Sequence, residues 1–223
     1  MQTAVDAKHH LIVSHEVTNA GNDRAQLSKM AKAAREAMGK DKLKAFADRG
    51  YFSGPELKVC EDAGITTFVP KPMTSNAKAE GRFDKSDFIY IAKDDEYQCP
   101  AGERAIHRFE TIEDKLDVHV YWSSNCPRCT LKDQCTTSKY RRIRRWEHEA
   151  VLERVQQRLD RNPDAMTLRR STVEHVFGTL KHWMGSTHFL TKTLTHVSTE
   201  MSLHVSALAR MQHEVQGLHA LHG

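Results

Sequence analysis

Two acidic residues stand where a carboxylate could act on bound ligand. Asp48 follows the apolar run from Leu43 to Ala47 and opens Asp48-Arg49-Gly50-Tyr51. That places it just past the C-terminal end of a buried strand, the edge at which open α/β sheets gather ligands. An aspartate there serves a turn with Gly50 equally well. Glu174 lies in Arg170-Ser171-Thr172-Val173-Glu174-His175-Val176-Phe177-Gly178-Thr179-Leu180-Lys181. Arg170, Glu174, Phe177 or Gly178, and Lys181 recur at steps of three or four, so on a helix the polar members share one face. Val173, Val176 and Leu180 would then pack inward. Ordinary salt pairing on a surface helix has the same pattern.

Cysteine is the second source of chemistry. The five cysteines are an odd number and suit a reduced, cytoplasmic chain better than a disulfide framework. Cys126-Pro127-Arg128-Cys129 has the spacing of half a tetrahedral zinc site, which Cys99 and Cys135 would complete. Four thiolates leave no open position, so such a Zn²⁺ would be structural. The rival reading is four small reduced thiols steadying an irregular segment. Cys60, on an apolar helix face, reads as core.

Charge is concentrated rather than general. The net charge is only +4, yet Lys139-Tyr140-Arg141-Arg142-Ile143-Arg144-Arg145 runs into Trp146 and suits a phosphate backbone. A solvated basic face has the same composition. The fourteen histidines, His204, His213, His219 and His222 among them, are spaced irregularly and read as solvated or packed. No apolar run approaches the roughly 20 residues of a membrane helix, and no signal pattern opens the chain.

The elements that must position these residues follow from periodicity. Gln2 to Asp6 and Leu11 to Thr18 read as a hairpin. Asn22 or Asp23 can cap a helix carrying Leu27, Met30, Ala31, Ala34 and Met38, which Gly39 ends. After the strand ending at Ala47, Ser53 and Glu56 have the spacing of a reciprocal capping box, Gly64 stops that helix, and Thr66 to Val69 form another strand. The order predicts an α/β core whose last strands lie parallel. From Pro70 to about Arg145 short extended pieces, Phe88 to Ile91 and Asp117 to Trp122, alternate with cysteines and turn residues and read as an insertion. Helical spacing returns near Trp146 to Leu159, Met166 to Trp183 and Leu194 to His213. In the last, Val197, Met201, Val205 and Leu208 form a packing stripe for the sheet or another subunit.

Taken together these segments resemble the DDE transposases of bacterial insertion sequences. In that group the glutamate of an acidic triad lies in a helical signature of arginine, three residues, glutamate, six residues, lysine, matched here by Arg170, Glu174 and Lys181. Thr167 stands where the wider signature has tyrosine. Ala47-Asp48-Arg49-Gly50-Tyr51 is similar to the segment of the second aspartate, and Asn22-Asp23, Cys99-Pro100-Ala101-Gly102 and the later cysteines are similar to one branch.

The resemblance implies a ribonuclease-H-like mixed sheet with flanking helices, interrupted by the cysteine-containing insertion. It implies core segments at 1–70 and 146–223 around an inserted subdomain at 71–145. It also implies Mg²⁺ or Mn²⁺ on Asp48 and Glu174, hard oxygen donors suited to in-line displacement at phosphorus. Arg170, Lys181, Lys139, Arg141, Arg142, Arg144 and Arg145 would contact DNA, the partners being transposon ends, target, and a second copy or a full-length transposase. Asp6 leads into a tight connection and reads as a turn residue, so the first catalytic aspartate is expected upstream of Met1 and the chain is expected to be an inactive fragment on its own. The alternative is a non-catalytic, zinc-containing DNA-binding module derived from such an enzyme.

Overall fold

The computed structural model describes residues 2–72, 77–178 and 188–221. β1 (Gln2–Val5) pairs antiparallel with β2 (Ile12–Glu16), Gln2 opposite Glu16. Asp6 makes the turn between them. Its carboxylate accepts the backbone N–H groups of Lys8 and His9 and meets the His9 ring at 2.7 Å. Burial works to raise its pKa, but these hydrogen bonds outweigh it and hold the group below the usual carboxylate range.

α1 (Leu27–Ala37) buries Leu27, Met30, Ala31 and Ala34, the three-and-four spacing legible in the sequence. Its start differs from the expected one. Asn22 accepts the Arg24 N–H in a local turn, Asp23 points elsewhere, and the residue before the helix, Gln26, makes no capping bond. The open first turn is served instead by Glu56, whose carboxylate accepts the Ser28 N–H at 2.7 Å. Glu56 belongs to α2 (Gly54–Asp62), so the capping box expected there is not formed and Ser53 makes no side-chain bond. A carboxylate within reach of a second helix's bare N–H groups gains both a donor and the positive end of that dipole.

β3 (Leu43–Phe46) and β4 (Ile65–Phe68) are parallel, with Phe46 stacked on Phe68 at 4.6 Å. Gly64 turns the chain from α2 into β4 at φ +73°, where a side chain would be strained. α3 (Glu149–Arg161) returns to this same layer, its Val151 and Val155 joining Leu57, Cys60, Ile65 and Val69 in one core. α4 (Ala165–Gly178) and α5 (Leu194–Leu221) form a second cluster in which Val176, Met201 and Leu208 pack with Val5, Ile12 and Val17. Among the described residues the expected mixed sheet is not joined: β1 bonds only to β2, and β3 only to β4. A cavity of about 370 Å³ is lined by residues of β1, α1, β3 and α4.

The chain divides into two compact units, Met1–Pro72 with Val151–Gly223, and Met73–Ala150. The second unit is a five-stranded antiparallel sheet in chain order: β5 (Ile89–Ile91), β6 (Glu96–Gln98), β7 (Arg104–Glu113), β8 (Leu116–Trp122) and β9 (Ile143–Trp146). Its core is Phe88, Tyr97, Ala105, Tyr121 and Ile143. Asp95 ties it together by accepting the hydroxyls of Tyr90 and Tyr121, each at 2.7 Å. β6, β7 and β9 have no counterpart among the strands expected from the sequence. β7 has no clean apolar alternation, and β9 is hidden inside the basic stretch. No described helix is long and apolar enough to cross a membrane.

Candidate active site

Asp48 sits at the C-terminal end of β3 and caps the short turn Arg49–Tyr51. One carboxylate oxygen accepts the Gly50 N–H at 2.9 Å, and the other accepts Arg169 of α4 at 2.8 Å. A Cβ at position 50 would stand 3.0 Å from the first oxygen, so glycine is what lets the turn close on the carboxylate. The turn role and a position at a strand end therefore coexist in one residue.

Asp23 reaches the same place from the loop before α1. The buried Gln2 amide donates to Asp23, and the Tyr51 hydroxyl donates to the Gln2 carbonyl oxygen. Burial pushes the Tyr51 hydroxyl up to about 12, and the negative charges of Asp23 and Asp48 push it the same way. The neutral phenol is favoured in the fold, so this contribution is fully present below the unfolded value near 10 and is lost as pH rises toward 12. Tyr51→Phe is expected to flatten unfolding free energy across that window by on the order of 2 kcal/mol, two pH units at about 1.4 kcal/mol each reduced for the partial solvent exposure of the ring. An equally steep alkaline loss in the variant, read by denaturant titration, would assign the loss to other groups.

Glu174 is exposed on α4, with its carboxylate 3.9 Å from Arg170 one turn away. The inward face of α4 carries Thr172 and Val176, both buried, rather than the expected Val173 and Val176 with Leu180. Leu180 and Lys181 lie outside the described residues. Arg169, Thr172, Val173 and Phe177 line the 370 Å³ cavity together with Asp48, Asp23 and Asp6, and Glu174 does not. The structure thus joins α4 to Asp48 through Arg169, one position before the arginine singled out in the sequence. Adjacent helical residues differ by about 100° in direction, so only packing decides which of the two meets the strand end.

In the second unit the basic stretch is sorted by strand alternation. β9 turns Ile143 and Arg145 inward and leaves Arg144 exposed. Arg145, expected to contact DNA, is buried in this unit's core. It is 8% exposed, its guanidinium lies 3.6 Å from the centre of the Tyr90 ring, and it donates to the Tyr97 hydroxyl at 3.3 Å. Arg141 is half-buried over Phe88, with Nε enclosed and without a hydrogen-bond partner. Arg144 pairs with Glu113 at 2.7 Å. Lys139 and Arg142 are exposed, and Arg142 and Arg108 both lie over Trp122, which Tyr140 also approaches.

Cys99, Cys126, Cys129 and Cys135 line one small cavity in this unit, all as free thiols. Burial pushes the Cys135 thiol above its ordinary value, with Arg141 pulling against that shift and the other three cysteines adding to it. Cys60 is in the first unit's core, pushed up to about 12 by burial, and is chemically quiet. His107, Glu110 and His119 on β7 and β8 bring one ligand atom each within 4.8 Å of one another. That trio comes from cross-strand register and left no trace in the spacing along the chain.

No curated protein and no solved structure matches this chain. A family model described as the transposase DDE domain matches residues 98–210, just over half of the length, from the first of the four clustered cysteines through Glu174 and into α5. On that match the chain belongs to the transposase DDE domain family.

Proposed function

We propose that the chain serves DNA transposition, with Asp48 and Glu174 holding Mg²⁺ or Mn²⁺ for DNA cleavage and strand transfer in a ribonuclease-H-like core. The observation that carries this reading is the carboxylate of Asp48 at the end of a parallel strand, bound by a cation on the helix that bears Glu174. Both carboxylates now face guanidinium groups, Arg169 and Arg170, so each already sits opposite positive charge. Hard oxygen donors in that setting fit a divalent cation in place of a guanidinium. When bound, the metal would orient an attacking hydroxyl and stabilise the leaving oxygen at phosphorus. Arg169 would hold Asp48 in its orientation until then, and Gly50 would keep the second oxygen anchored.

The 370 Å³ cavity supports a further part of the proposal. Its walls combine apolar residues of α1 and β3 with Asp23, Asp48 and Arg169. β1 and β3, which line it, make no ladder bonds to each other. An additional strand seated there would complete the mixed sheet and bring a third carboxylate beside Asp48, while Asp6 stays committed to its turn. The second reading, a DNA-binding module without catalysis, is favoured by two observations: Asp48 is occupied on both oxygens, and Glu174 lies off the cavity wall. Manganese titration followed by electron paramagnetic resonance separates the two. Binding weakened by Asp48→Asn and by Glu174→Gln is expected, and binding indifferent to both would leave the module reading.

DNA contact is assigned to Lys139, Arg142 and Arg144 with Arg108 and Trp122, a surface that pairs cations with an aromatic platform. Replacing Arg142 or Lys139 by Ala is expected to lower the slope of log affinity against log salt by about one for each phosphate no longer neutralised. Arg145→Ala should leave the slope alone and lower stability instead. An unchanged slope in the first two variants removes this surface from the proposal.

A further inference from the structure

The strongest unused chemistry is the set of thiols in the second unit. They arrive from three local structures that each hold a cysteine outward from the backbone. Cys99 starts a tight turn in which the Gly102 N–H bonds the Cys99 carbonyl at 2.8 Å and the Cys99 N–H bonds the Glu103 carbonyl at 2.9 Å. Cys126 and Cys129 bracket a single helical turn, the Cys129 N–H reaching the Cys126 carbonyl at 3.3 Å. Cys135 closes a further turn on the Lys132 carbonyl at 2.9 Å.

All four face one cavity of about 30 Å³, whose other walls include Phe83, Phe88 and Ile143. That volume admits one water-sized species and no organic ligand. Nothing about packing requires four sulfurs here, since Cys99 and Cys135 sit beside the unit's aromatic core where aliphatic side chains would serve.

Arg141 is the second, independent observation. It lines the same cavity, and its Nε is buried with no acceptor. Next to four neutral thiols a buried, unpartnered guanidinium N–H is a liability. Next to a metal bound by four thiolates it is matched, because that centre carries net negative charge and its sulfurs accept N–H groups.

We propose that Cys99, Cys126, Cys129 and Cys135 form a tetrahedral, structural Zn²⁺ site in the Met73–Ala150 unit, with Arg141 as its outer-sphere partner. Each thiol loses its proton to solvent on ligation, and side-chain rotation draws the sulfurs in from the cavity wall. Soft thiolate donors select zinc over the hard cations proposed for Asp48 and Glu174. With four sulfurs bound, the site has no open position and acts by fixing three loops, the segment from Cys135 to Arg142 included.

The test uses the full chain purified without chelator. About one equivalent of zinc is expected, and replacement by Co²⁺ should produce the intense sulfur-to-cobalt charge-transfer absorption of a tetrathiolate. Cys126→Ser with Cys129→Ser should remove both, His107→Ala should leave both, and Arg141→Gln should weaken zinc roughly tenfold or more. The cobalt spectrum of the unaltered chain decides the matter even if the cysteine variants fail to fold. Less than about half an equivalent of zinc, a cobalt spectrum without sulfur bands, or zinc lost with His107 rather than with the cysteines would overturn the site.

Discussion

On the proposed function, Asp48→Asn and Glu174→Gln are each expected to reduce metal-dependent DNA cleavage by on the order of a hundredfold to a thousandfold, the usual cost of removing one group that stabilises developing charge. Asparagine at position 48 still accepts the Gly50 N–H, so the turn survives, while the charge and the Arg169 bond are lost together. Glutamine at 174 disturbs only an exposed pair with Arg170. Stability should therefore stay close to that of the parent while activity falls. Asp6→Asn is the internal contrast: it weakens a hairpin turn and should leave cleavage within a few-fold. Strand cleavage on a plasmid bearing the DNA ends that border the coding sequence, in Mn²⁺, reads all three. Near-parental cleavage by either of the first two variants, or a collapse with Asp6→Asn, would sink the assignment of Asp48 and Glu174.

Leu57→Ala should cost about 2–5 kcal/mol, a large share of the stability of an ordinary domain. Leu57 is fully buried on α2 against Ile65, Val69, Val151 and Val155. The substitution leaves a cavity in a cluster that joins segments before and after the second unit. Val59→Ala on the same helix, 37% exposed, should cost far less. Urea midpoints of the two variants provide the comparison, and equal losses would mean that α2 does not present the face described. Because α2 begins a few residues after Asp48, the Leu57 variant should also loosen metal binding, whereas Val59→Ala should not.

Much of the first unit is legible in the sequence because its signals are local. The hairpin at Asp6, the apolar spacing of α1, the strand before Asp48 and the positive-φ glycine at Gly64 each follow from a few neighbouring residues. The helix starts differ from expectation because the bond that matters, Glu56 to Ser28, spans 28 positions and competes with the local one. β9 is invisible because a strand with charged residues on both faces has no apolar alternation until Arg145 finds Tyr90 and Tyr97. Arg169 carries no local signal that sets it above Arg170, although the helix bearing both is plain from its spacing.

By itself the sequence determined the residue types available for chemistry, the helix under Glu174, the turn around Asp48 and the two-residue spacing between Cys126 and Cys129. Local sterics and periodicity are enough for those. Only the tertiary structure decided that Arg169 holds Asp48, that Gln2 links Asp23 to Tyr51, that Arg145 is core while Arg142 faces solvent, and that four cysteines share one cavity with Arg141. Those outcomes depend on which elements pack together, and burial and electrostatic pairing between residues distant in the chain are not encoded in any short window.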